Sequence, residues 1–184
     1  MPEDGRVDEG TYRPHFDPAL SITPWARGSV EVNRPGWMGI AFGFDPPAAH
    51  AGGAWGADIN IIRLHQVFVA GSTTKLMPAP ADLATWIATR PGTRIVAGPK
   101  RITIGGRSAT QMDLAAPAGA VWGPIPESTE APAGFGPGPG VRVFVLDGPP
   151  PVVIALGLID TQDPARLKRA IEAMQPMVEG ITWP

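Results

Sequence analysis

Apolar positions recur along this chain with two different periods, and the change of period marks the elements. From Asp163 onward, Leu167, Ile171, Met174 and Val178 repeat at helical spacing. Such a stripe puts one apolar face on a core. Asp163 is a good N-cap and Pro164 suits the first helical position, so a helix is expected there, with Pro176 kinking its last turn. A second, shorter helix is expected over about Ala81 to Thr89, where Leu83, Trp86 and Ile87 form the stripe and Pro91-Gly92 the stop.

Elsewhere the period is two, as in strands. Ala19 to Thr23 alternates weakly and Ser29 to Val32 cleanly, each stopped by a proline. In Gly36 to Phe44, Met38, Ile40, Phe42 and Phe44 share one face. Asp58 to Val69 is the strongest strand pattern, with Ile62, Leu64 and Phe68 on one side and Arg63 and His65 on the other. Thr93 to Ala97 and Lys100 to Ile104 read as short strands, and Gly105-Gly106 as a two-residue hairpin turn needing positive φ at both positions.

Strict pairing across that turn sets Ile104 opposite Arg107 and Ile102 opposite Ala109, which leaves Met112 and Leu114 on the other side of the ribbon. Either a bulge flips the second strand or the sheet is covered on both faces; the latter predicts a layered sandwich. Val141 to Leu146 and Val152 to Ile159 flank a Gly-Pro turn and read as an antiparallel pair, followed at the chain's end by Ile181-Thr182-Trp183, extended and docked by its indole. The fold class is therefore α+β: an antiparallel sheet flanked by helices, in a single domain over 18–184. Residues 1–17 carry little apolar content and read as a flexible or loosely docked arm. Residues 115–140, rich in proline and glycine, match neither template and read as a long loop.

Composition narrows the chemistry. Glycine and proline number 23 each, but they cluster between apolar runs, so a folded domain with stiff loops is expected. A net charge of −2 without any basic stripe argues against nucleic acid. The absence of cysteine excludes thiolate catalysis, disulfides and thiolate-bound metal. No run reaches the roughly 20 apolar residues of a membrane-spanning helix. The acidic start, MPEDGRVDEG, lacks the basic-then-apolar order of a signal peptide.

Several short motifs carry a family resemblance. They are FDPALSI at 16–22, Gly36-Trp37, DLATWI at 82–87, GPKRITIGG at 98–106 and the closing EGITW. Together they resemble an actinobacterial family of cell-envelope and secreted proteins with a PsbP-like (LpqN-like) α/β/α sandwich, over nearly the whole chain from about Tyr12. The resemblance implies a binding or assembly module and brings no catalytic residues with it. LpqN-type relatives begin with an export signal or lipobox cysteine; this chain has no cysteine, so an envelope location is expected with the targeting segment trimmed, and a cytoplasmic one otherwise.

Candidate chemistry is sparse. His15, His50 and His65 share no ligand spacing, and His15 with Asp17 is an isolated pair, so no metal is expected. Gly52 to Gly56 precedes a strand, and Pro137 and Pro139 interrupt Gly134 to Gly140, so neither stretch offers the run of free N–H groups of a phosphate loop. Ser29 and Ser108 lie in no nucleophile elbow. Lys100, Arg101 and Arg107 gather at the hairpin, the usual arrangement of a solvated strand end. Arg63 and His65 on one strand face form a candidate anion site, and Trp55, Trp122 and Phe135 are candidates to converge over it from the Gly/Pro loops.

The expected function is a non-enzymatic binding or accessory domain of the cell envelope, without cofactor, that takes a small apolar or anionic molecule or a protein partner. The rival is a cofactor-independent cyclase or isomerase of natural-product metabolism in which His65 or Asp58 assists proton transfer inside a closed aromatic cavity. A third reading is a cytoplasmic secretion-associated or immunity partner protein.

Overall fold

The computed structural model describes residues 6–7, 10–24, 28–44, 55–116, 119–124, 132–135, 140–158 and 163–184. In chain order, the elements among them are β1 (Arg6–Val7), β2 (Gly28–Arg34), β3 (Trp37–Phe44), β4 (Trp55–Arg63), β5 (Gln66–Phe68), β6 (Leu76–Pro78), α1 (Leu83–Ala88), β7 (Arg94–Ile104), β8 (Arg107–Ala115), β9 (Ala120–Pro124), β10 (Pro132–Phe135), β11 (Val141–Leu146), β12 (Val152–Leu158) and α2 (Pro164–Glu179). Eight strands form one antiparallel sheet in the order β1-β2-β3-β4-β12-β11-β8-β7. The last hairpin in sequence, β11–β12, thus enters between the N-terminal strands and the β7–β8 hairpin.

Alternation along the central strands explains the layering. In β12, Val152, Ile154 and Leu156 join one buried cluster, while Val153 and Ala155 join another. In β8, Ala109 belongs to the first and Met112 and Leu114 to the second, and β8 keeps regular pairing with β11. The apolar residues on both sides of the hairpin ribbon therefore come from a sheet covered on both faces, not from a flip of β8. Leu167, Ala170, Ile171, Met174, Met177 and Val178 of α2 cover the first face. Leu83 and Ile87 of α1, together with Trp122 of β9 and Val67 of β5, cover the second. The α+β reading, an antiparallel sheet flanked by helices, holds.

The hairpin follows its predicted register, Ile104 opposite Arg107 and Ile102 opposite Ala109, with φ of +54° at Gly105 and +81° at Gly106. β11 and β12 pair as expected. Asp163 caps α2 through Oδ1, which accepts from Ala165 N at 2.9 Å, and the helix continues through Pro176 to Glu179.

Four expectations are modified. Asp58 to Val69 is not one strand: β4 stops at Arg63, the chain bends at Leu64-His65, and β5 pairs with β6 outside the main sheet. Thr93–Ala97 and Lys100–Ile104 are one bulged strand, β7. Within 115–140, β9 and β10 pair antiparallel. Gly123 lets β9 approach β5 closely, since a Cβ there would stand 2.5 Å from Gln66 O. Finally, residues 10–17 lie against the body: Tyr12 and Ile22 exchange backbone hydrogen bonds of 2.8 and 3.0 Å, Asp17 N donates to Pro35 O, and Phe16 is buried in the cluster under α2.

Candidate ligand-binding groove

Where β4 ends, three backbone bonds fix a corner. Arg63 N donates to Gly36 O (2.9 Å), Leu64 N to Pro151 O (3.1 Å) and Ala79 N to His65 O (2.9 Å). The last two tie the corner to the β11–β12 turn and to the approach of α1. Leu64 is pulled wholly into the core, and the next side chain, His65, points to solvent.

These three segments wall an open groove of about 660 Å³, lined by Leu64, His65, Ala79–Ala81 and Gly148–Pro151. Six of its nine lining residues are Ala or Pro, and His65 is the one ionisable side chain among the nine. Proline stiffens two of the three walls by fixing φ, so the groove costs little ordering to present.

Polar contacts hold two of the walls from behind. Asp82, adjoining Ala81, accepts Thr85 N on Oδ1 at 3.0 Å as the N-cap of α1. That backbone hydrogen bond holds the Asp82 carboxyl below its ordinary value. Asp147, adjoining Gly148, is paired with Arg101, whose hydrogen bond and charge likewise lower its pKa, while desolvation and the Asp82 charge oppose. Arg101 also donates to Thr110 Oγ1 at 2.9 Å and to Ser108, and Arg107 donates to Asp147 O at 2.9 Å while its guanidinium lies over Trp183. Arg101 and Arg107 of the basic spot at the hairpin are thus engaged by the turn that forms one groove wall.

The sequence candidates separate. His65 lines the groove. Arg63 does not: its guanidinium pairs with Asp17 of the N-terminal segment, and its Nε is buried without a partner. Two residues of one parity part company because the chain bends between them. Trp122 is fully buried in the core beneath α1 and presents no surface to a ligand. Trp55 and Phe135 lie in β4 and β10, and their side chains are outside the described residues, as is all of His50.

Asp58, named as an alternative acid or base, accepts a 2.6 Å hydrogen bond from Asn60 Nδ2, and Asn60 Oδ1 accepts from Trp37 Nε1 at 2.9 Å. This polar chain lies on the α1 side of the sheet and takes no part in the groove. The groove walls at 79–81 and 148–151 were missed in the sequence; their signal is the density of proline in MPAP and GPPP on either side of apolar strands. Compared with family models, curated proteins and solved structures, the chain matches none of them.

Proposed function

We propose that this chain is a non-enzymatic binding or accessory domain of the cell envelope that holds a small apolar or anionic molecule in the groove at His65. The observation that carries this reading is the groove itself: stiff Ala and Pro walls, one imidazole, and an open mouth. Apolar walls supply affinity, and a single hydrogen-bonding group supplies orientation. Water retained at an open mouth is tolerable in binding, whereas a cyclase or isomerase must exclude it from its reactive intermediate. The motif resemblance to PsbP-like modules supports the same class.

The test uses anilinonaphthalene sulfonate, which is both apolar and anionic. Its fluorescence should rise on binding the folded protein, and Ala81→Trp, which fills the groove from an exposed position, should abolish the rise. His65→Ala should weaken binding by about tenfold, the worth of one hydrogen bond involving a charged group. Native mass spectrometry of protein from its producer should show a retained small molecule. An unchanged probe affinity in Ala81→Trp would sink the reading, as would turnover of a ligand that depends on His65.

A further inference from the structure

β7 is the outer strand of the main sheet, and among the described residues no strand pairs with its free side. Over Arg94 to Arg101 it is exposed throughout, including two large apolar side chains in sequence, Ile95 at 39% and Val96 at 54%. The ladder with β8 breaks between Ile95 and Ala97, so Val96 is the extra residue of a bulge. A bulge re-aims a side chain and spoils the edge for sheet pairing. Here Val96 lines a groove of about 250 Å³ between β7 and α2, with Leu167, Lys168 and Ile171 on the helix side.

Charge selects the occupant. Lys168 lines the groove from α2, and Arg94 and Lys100 are exposed on β7 to either side of Val96. The strand carries no acidic residue. Asp113, in the groove floor, is neutralised by a two-pronged pair from Arg142 at 2.7 and 2.8 Å, and Arg142 also donates to Gln175 of α2. Among the described residues Lys168 has only a 3.8 Å ion contact, with Glu172, and Arg94 and Lys100 have no ion-pair partner. A second copy laid antiparallel on the exposed stretch Arg94–Arg101, about the middle of that stretch, would set Arg94 against Arg101 and is disfavoured by like charge. An acidic segment with an apolar anchor meets both features, the anchor entering beside Val96 and its flanking carboxylates meeting the basic rim.

We propose that the groove between β7 and α2 docks an acidic peptide segment of a partner protein through one apolar anchor residue, at a surface separate from the His65 groove. The probe is a synthetic peptide, blocked at both ends, with Leu-Phe flanked on each side by three Glu or Asp. Added to the isotope-labelled full chain at low salt, it should shift backbone amides at 94–97 and 165–171. Val96→Glu and the charge reversal Arg94→Glu/Lys100→Glu alter exposed side chains and should leave the melting temperature in place. Each should weaken binding by at least about tenfold. Replacing Leu-Phe by Ser-Ser, or the acids by Lys, should do the same. No shift at millimolar peptide, shifts confined elsewhere, or equal binding by the lysine peptide overturns the proposal. So does a concentration-dependent dimer that Val96→Glu dissociates, which would assign the face to a second copy.

Discussion

At Gly105 a Cβ would stand 2.5 Å from the carbonyl oxygen of Ile181 and 2.6 Å from Cδ1 of Trp183, whereas at Gly106 it would meet nothing within 4 Å. Both residues have positive φ, so alanine at either position carries the strain of a left-handed conformation, about 1 kcal/mol. Only at Gly105 must the C-terminal residues Ile181–Trp183 also retreat. The indole of Trp183, placed there under the Arg107 guanidinium at 4.9 Å, closes the hairpin end of the core. Gly106→Ala should therefore cost about 1 kcal/mol, and Gly105→Ala should add an overpacking cost of roughly 1–3 kcal/mol. Urea unfolding monitored by Trp fluorescence distinguishes them. Equal midpoints for the two variants would mean that the C-terminal residues do not pack on the turn.

Between elements, the contact with a measurable pH signature is Asp147, which links the β11–β12 turn to the β7–β8 hairpin through Arg101. Its folded pKa is depressed, first by the Arg101 hydrogen bond. A depressed acid contributes stability above its unfolded value, about 3.9, and loses it as pH falls through the lower folded value. Asp147→Asn should thus lower the urea midpoint at neutral pH, and the gap to the parent chain should close toward pH about 2. The side chains of Arg101 and Asp147 are 59% and 55% exposed, so the gap should be small and added salt should shrink it too. A gap that persists in strong acid would show that the pair is not its source.

Which elements were legible follows from where their causes lie. α2, the Gly-Gly hairpin and the β11–β12 pair are specified by neighbouring residues: a cap, a stripe, a turn. The break at Leu64-His65 is specified by distant ones. Apolar spacing runs on from Ile62 through Leu64 to Phe68, and the chain leaves the sheet because Leu64 N and His65 O are claimed by Pro151 and Ala79. That bend decides the site, since it turns His65 to the groove and leaves Arg63 with Asp17. β9 and β10 were hidden for a similar reason: glycine and proline mask short strands, and Trp122 in a Gly/Pro stretch fits either a core plug or a ligand-lining aromatic until its partner strand decides for the core.

For the molecule as a whole, the insertion of β11–β12 into the middle of the sheet governs how it comes apart. β4 and β12 pair, Ile62 with Val153 and Ile59 with Leu156, across about half of the chain's length. β12 is buried on both faces, with Val152, Val153, Ile154 and Leu156 all fully inaccessible, whereas β7 is exposed along nearly its whole length. Amides in β12, and in β11 and β4 beside it, can exchange only when the sheet is dismantled. Those of β7 from Arg94 to Ala97 are released by local opening at the bulged edge. Hydrogen exchange read by mass spectrometry should therefore rank β12 slowest and 94–97 fastest among the main-sheet strands from β3 onward. Denaturant should speed β12 with the slope of global unfolding and leave 94–97 nearly unaffected. If 94–97 were as protected as β12 in the isolated chain, the β7 edge would already be covered, and the groove beside Val96 would have no room for a partner.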